Sequence, residues 1–161
     1  MSKAYNMTGW RLAFFCGASW AVNALATIKD NCDSGQFKAI QHAACVGIAD
    51  ESLAEGIRLH YEKRLRKMVD VLREVGFDAQ MPGGTFYLYV KAPKGAGEVA
   101  FANAEEASLF LIENYGISTV PWDNTGAFIR FGAVFESDGE ADDERVLNTL
   151  ASRLKEAQLT F

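Results

Sequence analysis

Near its start the chain reads Ser2-Lys3-Ala4-Tyr5-Asn6-Met7-Thr8-Gly9-Trp10-Arg11, and this stretch governs how everything after it is read. A primary amine at Lys3 and a guanidinium at Arg11 stand eight residues apart across Thr8-Gly9. A turn at Thr8-Gly9 would bring both cations to the two ends of one small molecule. An amine can form a Schiff base with a carbonyl carbon. An arginine fork matches phosphate oxygens two at a time, which a lysine cannot do. A lysine and an arginine near a terminus can equally be solvated surface groups. It is the whole string of residue types that favours a site.

Working outward, the 161 residues suit one domain, or one domain plus a piece of another. Apolar residues make up 49%, enough for a packed core. A net charge of −5 argues against nucleic acid, which needs a basic stripe. No apolar run reaches the roughly 20 residues of a membrane span. Leu12 to Leu25 is apolar but broken by Gly17, Ser19 and Asn23, so a buried strand followed by a helix is favoured over a cleaved signal. The three cysteines, Cys16, Cys32 and Cys45, are odd in number and lack metal-type spacing. They read as reduced thiols of a cytoplasmic protein. His42 and His60 have no partner ligands nearby and read as helix residues, so no metal site is expected.

Trp10 to Cys16 is expected to form a short buried strand and Ser19 to Ile28 a helix. Asp33 could cap a second helix running to about Ala49. Ser52-x-x-Glu55 has the form of a capping box before a long helix. In that helix Leu65, Met68, Leu72 and Val75 make one apolar stripe, and Gly76 stops it. The basic residues Lys63, Arg66, Lys67 and Arg73 read as its solvated faces. Pro82-Gly83-Gly84 is a turn. Thr85 to Val90 then alternates, with Phe86, Leu88 and Val90 on one side and Thr85, Tyr87 and Tyr89 on the other. Ala92 to Gly97 reads as a loop. Asn103-x-x-Glu106 opens a helix that closes at Gly116. Strands follow at Ile117–Val120 and Ala127–Phe135. A last amphipathic helix, carrying Val146, Leu147, Leu150 and Leu154, starts near Ser137-x-x-Glu140. The fold class is α+β, a small sheet covered by helices, with a boundary near Asp50 between residues 1–50 and 51–161.

One strand carries a further signal. In Ala127-Phe128-Ile129-Arg130-Phe131-Gly132 an arginine stands amid apolar residues that imply cover on both faces. A buried guanidinium needs an anion. That anion could be a nearby Asp or Glu, as a structural ion pair, or the carboxylate of a substrate.

The segment from Ser2-Lys3 to Arg11 closely resembles the cofactor-lysine segment of the class I/II aminotransferases, fold-type I enzymes that use pyridoxal 5'-phosphate. Asp33-Ser34-Gly35-Gln36, Pro82-Gly83-Gly84-Thr85-Phe86-Tyr87 and the Arg130 strand resemble later segments of the same family. The resemblance implies that Lys3 is the Schiff-base lysine and proton carrier, that Arg11 holds the cofactor phosphate, and that Ser2 adds a contact. It implies that Arg130 clamps the substrate α-carboxylate. Asp30-Asn31-Cys32-Asp33-Ser34-Gly35-Gln36 and Ile117 to Asp123 look most like the LL-diaminopimelate aminotransferase branch. The resemblance covers the last two-fifths or so of a typical member. It therefore implies residues 1–50 as a remnant of the large cofactor-binding domain and 51–161 as the small C-terminal domain. An amino acid and a 2-oxo acid would be the substrates and a homodimer the assembly, with this segment inactive alone. The alternatives are a non-catalytic small domain, with Lys3 and Arg11 in solvent, or a lyase or decarboxylase of the same fold.

Overall fold

The computed structural model describes all residues, 1–161. They divide into two compact units, Met1–His60 and Tyr61–Phe161. No helix is long and apolar enough to cross a membrane.

The first unit is helical. After a short 3-10 turn come α1 (Ser19–Cys32), α2 (Lys38–Ala49) and the start of α3 (Glu51–Glu74), the helix that runs across the division. The strand expected at Trp10–Cys16 does not form: residues 12–16 have no regular structure, and Phe14 and Phe15 are exposed. A strand needs a neighbour to take its N–H and C=O groups, and this unit has no other strand. Helix α1 extends past the expected break to Cys32. Asp33 closes α1 instead of opening α2: its carboxylate pairs with Lys29 one turn back and accepts the Gly35 amide at 3.1 Å. Phe37 takes the N-cap position of α2. The expected capping box at Ser52 is displaced by two residues. Asp50 accepts the Ser52 amide at 3.0 Å and its hydroxyl at 2.5 Å, while Glu55 pairs with Arg58. Cys16, Cys32 and Cys45 are free and exposed.

The second unit holds two sheets of three strands. In the first, β1 (Tyr87–Lys91) and β4 (Val120–Trp122) flank β5 (Phe128–Gly132), all antiparallel. The second is built from strands of two residues: β2 (Gly95–Ala96) lies between β3 (Val99–Ala100) and β6 (Leu159–Thr160). It occupies part of the expected loop at 92–97. Helices α4 (Ala104–Tyr115) and α5 (Glu140–Glu156) complete the unit.

One face of the first sheet makes the core. Leu88 and Val90 of β1 and Ile129 and Phe131 of β5 are buried, as strand alternation requires. They meet Leu65, Met68, Val69 and Leu72 of α3, Leu111 of α4, and Leu147 and Leu154 of α5 in a single cluster. Helix α3 ends where Gly76 adopts φ 103°, and the Phe77 amide donates back to the Leu72 carbonyl at 3.0 Å. Asn103 caps α4 through the Glu106 amide at 2.9 Å, and α4 stops at Gly116 in the left-handed region. Gly139, not Ser137, takes the N-cap position of α5.

Candidate functional site

The lysine-bearing segment is a run of tight turns. The Met1 carbonyl accepts the amides of Tyr5 at 3.3 Å and Met7 at 3.4 Å, and the Lys3 carbonyl accepts that of Asn6 at 3.4 Å. The 3-10 turn Thr8–Trp10 follows, and Arg11 leaves it in the left-handed region at φ 50°. That conformation costs a non-glycine residue about 1 kcal/mol or more, so other contacts must hold it. Thr8 supplies two. Its hydroxyl donates to the Ser2 carbonyl at 2.7 Å, and its own carbonyl accepts from the Arg11 guanidinium at 3.2 Å. Thr8 thus ties the backbone beside Lys3 to the side chain of Arg11. The chain turns at Thr8-Gly9, where the spacing of the two cations asks for it.

Lys3 and Arg11 are both exposed, and Ser2 is half-buried. Arg11 belongs to none of the ion pairs in the structure. Its remaining N–H donors are open to an anion. An amine and a guanidinium outside any ion pair on one short segment suit a ligand with an aldehyde and a phosphate, so the chemistry of the donor set fits pyridoxal phosphate.

Arg130 is at the middle of β5, in the second unit. Its neighbours across the sheet are Tyr89 on β1 and Val120 on β4. The face it occupies is only partly covered, short of the expected cover on both sides: Arg130, Tyr87 and Phe128 are half-buried. Helices pack on the Leu88 and Ile129 face, and the other face is aromatic and partly open. Tyr89 and Trp122 there are 45% and 38% exposed. The Arg130 guanidinium carbon lies 4.2 Å over the Tyr87 ring and 5.9 Å from the Trp122 ring centre. Tyr89 stacks on Phe128 at 4.7 Å and shares a hydrogen bond of 2.7 Å with the Thr125 hydroxyl. Asp123 anchors the strand beside Trp122 by accepting the amides of Ala104 at 2.7 Å and Glu105 at 3.2 Å at the start of α4.

The ion pair that could have explained Arg130 structurally is absent: no carboxylate reaches it. Its Nε is buried and has no hydrogen-bond partner. Such an orphaned donor costs on the order of 1–3 kcal/mol. Ring quadrupoles hold the cation instead, at about 0.5–2 kcal/mol each. Aromatic faces balance the charge without occupying its donors, and this leaves the arginine able to take an oxyanion ligand.

The sequence model of the family Aminotransferase class I and II matches residues 1–136. This chain is a member of that family. Family members use pyridoxal phosphate. Among curated relatives, the LL-diaminopimelate aminotransferase of Methanococcus maripaludis is 53% identical over 99% of the chain, and that of Methanocaldococcus jannaschii is 48% identical over 99%. The chain spans about 40% of the length of each. Among solved structures, substrate-bound BacF from Bacillus subtilis superposes with a TM-score of 0.83 at 25% identity, covering 99% of this chain and 39% of that one. The α+β architecture is therefore that of the fold-type I aminotransferases.

Of the four residues singled out from sequence, Ser2, Lys3 and Arg11 share one segment of the first unit, and Arg130 belongs to the second. Thr8, Tyr87 and Trp122 were not among them. Thr8 carried a signal, a hydroxyl at the turn itself. Tyr87 and Trp122 carried none, because their closeness to Arg130 depends on strand register.

Proposed function

We propose that this chain supplies the reactive amine, the phosphate anchor and the substrate clamp of a pyridoxal-phosphate aminotransferase. The reaction moves an amino group between an amino acid and a 2-oxo acid. The relatives' names support an LL-diaminopimelate type of substrate. Residues 1–50 would belong to the larger cofactor-binding domain and 51–161 form the smaller one, in a cytoplasmic homodimer.

When bound, pyridoxal phosphate supplies an aldehyde for the amine and an electron sink for the substrate Cα. Lys3 Nζ would provide that amine and carry the proton to and from Cα. Arg11 would hold the phosphate with the donors that its Thr8 contact leaves over, and Ser2 would add a contact beside the lysine. Arg130 takes the α-carboxylate through paired N–H donors and so fixes which Cα bond is aligned for cleavage.

The observation that carries this reading is the carboxylate-free guanidinium of Arg130 on a partly open aromatic face. The test is reductive trapping. The chain is incubated with pyridoxal phosphate, reduced with borohydride and mapped by mass spectrometry. This is done alone and mixed with a polypeptide covering the rest of the M. maripaludis relative. Label at Lys3, strengthened by the added polypeptide and accompanied there by transamination of LL-diaminopimelate, is expected. Label spread over surface lysines, or unchanged in Lys3→Ala, would overturn the assignment.

A further inference from the structure

We propose that Arg64 is a positioning residue for Arg130, acting by pinning the end of β5 in register. The inference rests on the assignment of Arg130 as the carboxylate clamp. The Arg64 side chain is almost fully buried.

Arg64 projects from α3 and spends its whole fork. Nε and Nη2 donate to the Asp143 carboxylate at 3.1 and 2.7 Å. Nη2 also meets the Ser137 hydroxyl, which donates to Asp143 in turn. Nη1 donates to the Phe135 carbonyl at 2.8 Å and reaches that of Ala133 at 3.4 Å. The guanidinium plane lies 4.4 Å over the Phe135 ring. Asp143 and the ring orient the fork, and the fork grips two backbone carbonyls just beyond β5.

That grip falls where register is decided. The Ala133 amide donates to the Phe86 carbonyl at 2.9 Å, closing the β1–β5 ladder one residue past the Tyr87–Gly132 pair. Residue Ala133 is thus held at its N–H by β1 and, through the longer 3.4 Å contact, at its C=O by Arg64. The register so fixed places the Tyr87 ring over Arg130. Side chains alternate along a strand, so a slip of one residue would carry Arg130 to the core face and Ile129 and Phe131 to the partly open one. The apolar core opposes a full slip. Loosening of the end, at Tyr87–Gly132, meets less resistance, since Gly132 has no side chain to bury and only the small Ala133 beyond it belongs to the core. The Arg64 fork is what restrains it.

The experiment uses the full chain, labelled for NMR, in three variants. Arg64→Lys keeps the charge but cannot span the carboxylate and two carbonyls together. Arg64→Met with Asp143→Leu removes both charges at similar volume, a change that buried ion pairs often tolerate. Leu147→Ala is a control that destabilises the core from α5. The readouts are the ring-current shift of the Arg130 δ protons under Tyr87, exchange of the Ala133 amide, and titration of Arg130 Nε–H with acetate against equal chloride. In both Arg64 variants the ring-current shift should fall by at least half and Ala133 exchange should rise about tenfold or more. Acetate should bind several-fold more weakly. The control should keep the shift at a similar melting temperature. Shifts and exchange that stay at parent values, or that follow melting temperature equally in all variants, would overturn the proposal. So would failure of the double variant to fold, which would make the pair purely structural. A parent chain whose Arg130 ignores acetate would instead sink the clamp assignment, and the ring-current readout would still judge Arg64.

Discussion

Tyr87 and Arg130 meet at 4.2 Å on the diagonal of the β1–β5 pair, ring to guanidinium, with no carboxylate at the cation and no partner for its buried Nε. A protein built for stability alone would place an acid there or remove the charge. Arg130→Met should therefore change stability by no more than about 1 kcal/mol, since the orphaned donor it removes and the cation–π contacts it loses are of similar size. Urea unfolding of the two proteins measures this. A variant less stable than the parent by more than that amount would mean that Arg130 has a structural task.

The ring, not the hydroxyl, holds the cation. Tyr87→Phe should change stability by less than about 0.5 kcal/mol, whereas Tyr87→Leu should cost about 1 kcal/mol. The Arg130 Nε–H resonance should move in the second variant only. Equal effects from the two would place the interaction at the phenol oxygen instead.

The second sheet depends on the lack of a side chain at Gly95. A Cβ there would stand 2.4 Å from the Val99 carbonyl and 3.1 Å from the Thr160 hydroxyl, both on the strands that flank it. The carbonyl is backbone and cannot rotate aside. Gly95→Ala should cost about 1–3 kcal/mol and release the pairing with Leu159–Thr160, seen as faster amide exchange at Gly97, which donates to Gln158. Gly83→Ala, which meets nothing within 4 Å, is the matched control and should be near neutral.

How much of this was legible beforehand follows the range of each interaction. The stop of α3 at Gly76 and the Asn103 cap of α4 involve neighbours in sequence, and residue type announces them. The stripe Leu65, Met68 and Leu72 was visible for the same reason. The Ser52 box failed because Asp50, two residues earlier, takes the Ser52 amide that the box assigns to Glu55 and the Ser52 hydroxyl as well. The Trp10–Cys16 strand failed because an apolar run says nothing about whether a partner strand exists. The sheet of β2, β3 and β6 was invisible, since two-residue strands have no period and Thr160 is far from Gly95 in sequence. Among the candidate residues, Lys3, Arg11 and Arg130 declared themselves by charge in unusual company. Tyr87, Trp122 and Arg64 did not, because their roles arise from register and from a pairing of Arg64 with Asp143 across 79 residues.

The charged surface between α3 and α5 sets the acid response of the second unit. Lys63 holds the Glu140 carboxyl below its ordinary value of 4.5, with Lys67 helping. Arg145, and then the Asp138 amide, hold Asp142 below 3.8. Lys67 is raised above 10.5, chiefly by Glu144. A carboxyl whose folded value is depressed binds protons more readily when unfolded, so it stabilises the fold above its unfolded value and loses that contribution as pH falls through the folded one. The raised lysine works in reverse: its contribution is complete below 10.5 and fades as pH climbs through the folded value. Stability should therefore be flat near neutrality, fall from about pH 5 downward, and fall again in strong alkali. Glu140→Gln should flatten the acid limb without changing the plateau much, because these pairs are solvated and salt-screened. Urea midpoints taken across pH at low and high salt measure both effects. An acid limb that keeps its slope in Glu140→Gln would place the response at other depressed carboxyls, Asp142 first among them.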